Sequence, residues 1–174
     1  MYNLTMDYIK YIREKVGHSP IFIPAASGFI IKNNQILLQK RSDNHKWAAH
    51  GGGMNFGETP LETLTREIKE ELGVTPINPS FLNIYAGEEC HFTYPNGDEV
   101  YAVVSIFLIK DYQGDFSIDP NEIETLEWFD LDKIPPKSEI NPADYLPLMD
   151  AIKKLKSTNH KELKPLNWLT DKTL

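Results

Sequence analysis

Little in this chain is given over to cross-linking, to lipid or to a nucleic-acid polymer. Its 174 residues include one cysteine, Cys90, so no internal disulfide can form. No apolar run reaches the ~20 residues that span a bilayer. The longest, Val100 to Ile109, is interrupted by Ser105 and has the length of a strand. The N-terminal stretch MYNLTMDYIKYIREK carries acids and tyrosines where a signal peptide has an apolar segment. These absences point to the cytoplasm and to no membrane partner. Basic residues are also few: 18 Lys and Arg stand against 25 Asp and Glu, a net charge of −7 with no long basic run. Polymeric nucleic acids are held by cations that neutralise phosphates, so such a substrate is disfavoured. No internal repeat, low-complexity tract or domain-splitting linker is visible. What is present, 41% hydrophobic and 25% charged residues, describes one globular domain over 1–174.

The patterning divides that domain into elements. Residues 5–16 read as an amphipathic N-terminal helix, with Ile9, Ile12 and Val16 on one stripe and Gly17 to end it. Ile21 to Lys32 and Gln35 to Arg41 read as strands joined by a turn at Asn33-Asn34. A helix follows Thr59, which can cap it; Pro60 suits the first helical position and Glu62 completes a capping box. Ser80 to Gly87 is extended, and Tyr94-Pro95-Asn96-Gly97 is a turn. Val100 to Ile109 is apolar enough to be covered on both faces, and Ile123 to Phe129 is a short strand. A last helix is expected over Leu146 to Lys156, with Leu148, Met149, Ile152 and Leu155 inward and Pro147 in its first turn. The tail 157–174 shows no clear pattern, and Trp168 within it has no assigned place. Strands interleaved with helices imply an α/β fold, a sheet sandwiched by helices.

Chemistry concentrates in Gly52 to Val74, GGMNFGETPLETLTREIKEELGV. A glycine turn leads into the helix, and at about 100° per residue Glu67, Glu70 and Glu71 fall on one stripe of it. Leu61, Leu64, Ile68 and Leu72 occupy the other face. Like charges on one stripe repel, and hard divalent cations want such a cluster of carboxylate oxygens. A solvated face supported by Arg66 and Lys69 is the plainer alternative, but exposed pairs contribute only ~0.3–0.5 kcal/mol each.

This segment resembles the signature of the Nudix hydrolases, in which Gly, Glu, Arg-Glu-apolar, Glu-Glu and Gly-apolar recur at fixed spacing. Here those positions are Gly52, Glu58, Arg66-Glu67-Ile68, Glu70-Glu71 and Gly73-Val74, and every one is met. The resemblance implies the Nudix fold, a mixed β-sheet in an α/β/α sandwich, and hydrolysis of a diphosphate bond that links a nucleoside to another group. It implies Glu67 and Glu71 as principal ligands of Mg²⁺ (Mn²⁺ the alternative), with Glu70 a further ligand or the holder of a metal-bound water. Gly51 would supply a backbone carbonyl. Arg66 would tether a carboxylate, Glu58 being the candidate, a structural role favoured over substrate contact. Some members need a carboxylate from outside the signature, for which Glu122 and Glu124 are candidates.

One departure stands next to the signature. The family commonly has proline before the glycine pair, and this chain has His50, expected to tolerate the turn, with a ligand or acid/base role as the alternative. Arg41 at a strand end is a candidate for phosphate, with solvation as the alternative. Gly52 borders the same turn. Trp47, Phe92 and Tyr94 could stack a base or pack. Cys90 and His91 lack the partner spacing of a metal site. The proline that often marks ADP-ribose enzymes, near Glu89, is absent, as is the tyrosine of dinucleoside polyphosphate enzymes near Cys90 to Phe92. RSDNHKW before the signature and YPNGDEV after it resemble the ADP-ribose pyrophosphatase-like group. The expected substrate is a small nucleoside diphosphate derivative, ADP-ribose or a nucleotide sugar first. The alternatives are a nucleoside triphosphate pyrophosphohydrolase that cleans the nucleotide pool, a hydrolase or isomerase of non-nucleotide diphosphates, and a non-catalytic nucleotide-binding module. A homodimer is left open.

Overall fold

The structure, a computed structural model, describes residues 8–94 and 96–158. In chain order the elements are α1 (Tyr8–Val16), β1 (Ile21–Lys32), β2 (Gln35–Arg41), β3 (Trp47–Ala48), β4 (His50–Gly53), α2 (Pro60–Leu72), β5 (Thr75–Ile77), β6 (Ser80–Tyr85), β7 (His91–Thr93), β8 (Glu99–Ile109), β9 (Asp111–Gln113), β10 (Ile123–Asp130) and α3 (Pro142–Thr158). Asn33 and Asn34 both take positive φ, 51° and 63°, the geometry of the tight hairpin between β1 and β2. The main sheet runs β10-β2-β1-β8-β6. It is mixed: β1 pairs parallel with β8, while the β1–β2, β10–β2 and β6–β8 pairs are antiparallel.

Strand alternation builds two cores. In β1, Phe29 and Ile31 point to one face and Ile30 to the other; in β2, Ile36 and Leu38 oppose Leu37. One face receives α3 through Leu148, Ala151 and Ile152. The opposite face receives α2 through Leu64, Ile68 and Leu72, all three fully buried. Burial of side chains of this kind stabilises by ~1.5–3 kcal/mol each, which seats α2 firmly on the sheet. Ile12 of α1 packs on a third, smaller cluster of Ile21, Ile23 and Val100. The result is an α/β/α arrangement.

Two details depart from expectation. Only the end of β8, Ile106 to Ile109, is buried on both faces; Val103 is exposed, because the apolar cluster beneath α2 takes in Phe107 and Ile109 but not the first half of β8. The last helix begins at Pro142 rather than Leu146, so Pro147 lies inside it and not in its first turn. Asn141 and Asp144 start that helix early: the Asn141 side-chain amide donates to the Asp144 carboxylate at 2.6 Å, and its carbonyl accepts from the Asp144 N–H at 2.9 Å. Of the tail, residues 157 and 158 continue α3; Trp168 lies outside the described residues.

The feature that positions a site is the divided edge of β1. Its C-terminal part, Ile30 to Lys32, pairs with β2, but Ala25 to Gly28 pair with β4. β4 therefore inserts Gly51, Gly52 and Gly53 beside α2. Two glycines are required there. Gly51 has φ 141°, and a Cβ on it would lie 2.2 Å from the Ala26 carbonyl oxygen; a Cβ on Gly52 would meet the Glu67 carboxylate at 2.7 Å.

Candidate active site

The start of α2 is secured locally. Thr59 accepts from the Glu62 N–H, and the Glu62 carboxylate accepts from the Thr59 N–H at 2.9 Å. Such a cap stabilises by ~1 kcal/mol. It fixes where the helix begins, and so which residues face the glycine strand.

Behind that strand, Arg66 acts as a clamp. Its Nε donates to Glu58 Oε1 at 2.6 Å and its Nη2 to Glu58 Oε2 at 3.0 Å. Nη2 also reaches the Gly53 carbonyl at 2.9 Å, while Nη1 reaches Glu67 at 2.7 Å and Glu70 at 3.1 Å. The bidentate fork is the geometry in which arginine binds carboxylate best. Glu58 accepts further from the Asn55 N–H and the Thr63 hydroxyl, each at 2.9 Å. The guanidinium, followed by these donors, holds the Glu58 carboxyl down to about 2.

In front of the strand, the carboxylates are poorly compensated. Glu71 is 5% exposed. Its Oε2 accepts the Gly51 N–H at 3.0 Å, and Gln39 Nε2 stands 3.5 Å from its Oε1. Burial, followed by the charge of Glu67, pushes Glu71 up to about 8. Burial also raises Glu67, against the pull of Arg66. Glu122, in the turn before β10, adds its negative charge to both. A cavity of about 370 Å³ opens above these groups, lined by Glu67, Glu71, Glu122, Gly51, Gly52, Gly53, Gln39, Arg41, Ser42, Asp43, Tyr94 and Asn121.

The structure thus brings Glu67, Glu71, Glu122, Gly51, Gly52, Arg41 and Tyr94 to one cavity. Glu58 and Arg66 stand behind it. Glu70 is exposed, unlike Glu67 and Glu71, and faces an adjoining hollow with Ile9, Met54 and Asn55. Trp47 is a correction: its ring is buried in the α3-side core, edge-on to Phe129 at 4.8 Å, and cannot stack a base. Phe92 packs on the cluster of Ile21 and Ile23. Arg41 lines the cavity and is partly exposed but not free, since Asp43 takes it bidentately at 2.8 and 2.7 Å. Glu124 is held by His45 and Lys40 and does not line the cavity. His91 stacks on Tyr101 and binds Glu99, so it forms no metal pair with the buried Cys90.

Two residues were missed. Gln39 is a polar side chain buried in β2, on the cavity side together with Arg41. Its signal was available: a glutamine inside the apolar run ILLQ, at a position where alternation points it inward. His50 does more than tolerate the turn. Its ring is fully buried, with Nδ1 3.0 Å from Gln39 Oε1 and Nε2 3.2 Å from the Leu37 carbonyl. Burial lowers it to about 4, so the ring is neutral at pH 7.

This layout of mixed sheet, glycine strand and carboxylate helix has counterparts among known proteins. The model of the NUDIX domain matches residues 22–150, and the chain belongs to the Nudix family. It is 37% identical over 114 residues to the ADP-ribose pyrophosphatase of Methanocaldococcus jannaschii, covering 64% of this chain and 63% of that protein. It is 46% identical over 44 residues to an RNA pyrophosphohydrolase of Acinetobacter baylyi, covering 25% of this chain and 26% of that one. The chain thus spans less than two thirds of the length of these relatives. The crystal structure of the MutT NUDIX hydrolase from Burkholderia pseudomallei matches with a TM-score of 0.64 at 25% identity, over 75% of this chain and 98% of that one. A UDP-X diphosphatase structure shares the fold, with a TM-score of 0.58 at 19% identity over 87% of this chain and 73% of that one. Among the described residues no helix is long and apolar enough to cross a membrane.

Nudix hydrolases generally use divalent metal ions, and the donor set here fits one. Among the described residues no three His, Cys, Asp or Glu side chains converge closely enough to hold an ion by themselves. An ion that keeps several waters and takes one or two carboxylates plus substrate oxygens does not need three. Glu67 and Glu71, on consecutive turns beside the Gly51–Gly53 backbone, are a set of that kind; burial raises the proton affinity of both, of Glu67 against its Arg66 partner.

Proposed function

We propose that the protein hydrolyses a diphosphate bond in a small nucleoside diphosphate derivative, with ADP-ribose or a nucleotide sugar as the first candidates and Mg²⁺ as the cation. The observation that carries this reading is the meeting of Glu67, Glu71 and Glu122 with the glycine strand at one cavity. Glu67 and Glu71 would hold the ion, with the Gly51 carbonyl as a further donor. When bound, it would neutralise the diphosphate, acidify a water and align it with the leaving group. The chain's own residues do the rest. Arg66 locks the Glu58 loop and the Gly53 carbonyl to α2, so the glycine strand and Glu67 keep their spacing. Glu122, exposed at the cavity mouth, would accept a proton from the attacking water. Glu70 would hold a water at the outer side of the ion. Arg41, oriented by Asp43, offers donors at the rim, and Tyr94, half-exposed there, offers a ring.

Support for the substrate class comes from the name of the Methanocaldococcus relative, an ADP-ribose pyrophosphatase. The test is direct. In Mg²⁺, ADP-ribose should yield AMP and ribose 5-phosphate, resolved by chromatography. Faster conversion of nucleoside triphosphates to monophosphate and pyrophosphate would transfer the assignment to nucleotide-pool cleaning. No turnover of any diphosphate, with binding retained, would make it a binding module.

A further inference from the structure

The signature leaves one part of the site unexplained. Glu71 is nearly sealed from water, yet its only backbone donor is the Gly51 N–H on Oε2. Its other oxygen faces Gln39, and Gln39 faces His50. Both side chains are buried at a place where the fold would accept apolar residues: Gln39 is 2% exposed and His50 0%. A buried polar group without a partner is costly, so each has to be satisfied by the other.

We infer that Gln39 and His50 are a positioning pair that orients the Glu71 carboxylate for its cation. The inference rests on the proposed metal role of Glu71. Donor and acceptor parity sets the direction. With its cation bound Glu71 is ionised and can only accept, so Gln39 presents its Nε2 to Oε1 across the 3.5 Å contact. The amide oxygen is then turned to His50 Nδ1 at 3.0 Å, and that nitrogen has to donate. A neutral imidazole carries one N–H, so in this tautomer the Nε2 lone pair faces the Leu37 carbonyl at 3.2 Å with no proton between them, an unfavourable contact that the Nδ1 donation has to outweigh. The Gly51 N–H and the Gln39 amide thus grip the two oxygens from different sides and fix the plane in which Glu71 offers its remaining lone pairs. Groups behind a metal ligand commonly change affinity or activity by about 10–100-fold when lost.

The test is Mn²⁺ binding to the full chain without substrate, followed by electron paramagnetic resonance, beside steady-state kinetics and thermal unfolding. Gln39→Met keeps the volume and removes the amide; its Mn²⁺ Kd should rise about tenfold and kcat should fall to match, with KM for the diphosphate little changed. His50→Ala should behave alike. His50→Asn places a donor near the Nδ1 position and should restore most of the affinity. His50→Gln reaches toward the Nε2 position and should not. A core control, Leu148→Ala, should lower Tm and leave Mn²⁺ affinity alone. Equal Mn²⁺ affinity in wild type and folded Gln39→Met, or His50→Asn no better than His50→Ala, would overturn the pairing while leaving the metal site standing. Wild type that binds no Mn²⁺ would overturn the site reading and this inference together.

Discussion

Glu58 and Glu71 belong to one signature and flank one glycine strand, yet their surroundings push them in opposite directions. Glu58 has a fixed cation, Arg66, and two neutral donors, and its carboxyl is held down to about 2. Glu71 is buried with one N–H, a long amide contact and like charges nearby, and is pushed up to about 8. One carboxylate is compensated by the chain itself. The other is left short of positive charge, which is what a binding site for a cation must look like before the cation arrives. The difference is what the proposed roles, a structural Glu58 and a cation-holding Glu71, would require.

The sharpest way to break this contrast is to remove each charge. Glu71→Gln should cut kcat by at least about two orders of magnitude while the protein stays folded, since one ligand charge is lost and its shape kept. Mn²⁺ affinity should drop with it. Near wild-type turnover would end the assignment of Glu71. Arg66→Ala should act on the other side of the strand. It orphans Glu58 and frees the Gly53 carbonyl, so it should lower stability by ~1–3 kcal/mol and reduce activity about tenfold. Denaturant unfolding beside the rate assay reads both; loss of activity at unchanged stability would make Arg66 a substrate group instead of a clamp.

Most of this contrast was legible in the residues, but unevenly. The strand limits Ile21–Lys32 and Gln35–Arg41 and the capped helix after Thr59 follow from turn, cap and period, because those signals are local. The Arg66–Glu58 contact was readable because the signature carries both residues. The fate of Trp47 was not: the same tryptophan can stack a base or fill a core, and only the pairing of β3 with β2 turns it toward Phe129. His50 was misread for a similar reason. Its partner Gln39 is on another strand, and a hydrogen bond between strands leaves no periodic trace in either. The early start of α3 turned on a local Asn141–Asp144 contact that outweighs the presence of Pro147 inside the helix.

Acidity sharpens the comparison in a different way, because the two carboxylates contribute opposite slopes. For Glu71 the folded-state value of about 8 lies above the ordinary 4.5, so the folded protein binds the extra proton. Its contribution in metal-free protein is full below about 4.5 and is lost as pH rises toward 8. For Glu58 the folded value of about 2 lies below 4.5, so its contribution is present above 4.5 and lost as pH falls toward 2. Chelated protein should therefore lose on the order of 1–3 kcal/mol of the Glu71 contribution by pH 8.5, while buried His50, lowered to about 4, contributes fully above 6.5 and loses its contribution as pH falls toward 4. Divalent cation should restore most of the Glu71 loss, and Glu71→Gln should flatten the alkaline limb. A chelated protein with no alkaline limb would mean that Glu71 is better solvated than its burial indicates.

Glu70 provides the finest test, since it lies between the two cases. It neighbours Glu71 in sequence but is exposed where Glu67 and Glu71 are not, its carboxylate meeting Arg66 at 3.1 Å in an i,i+4 pair. Exposed pairs of this kind stabilise by only ~0.3–0.5 kcal/mol, so Glu70→Gln should leave Tm almost unchanged. It does not line the cavity, so any hold on the cation would pass through water and a small movement of Arg66. The expected loss in kcat is about tenfold or less, well short of Glu71→Gln. Mn²⁺ affinity should change less still. If Glu70→Gln matches Glu71→Gln in both rate and affinity, Glu70 swings from Arg66 to the ion on binding, and exposure in the metal-free protein is no guide to which carboxylate the cation takes.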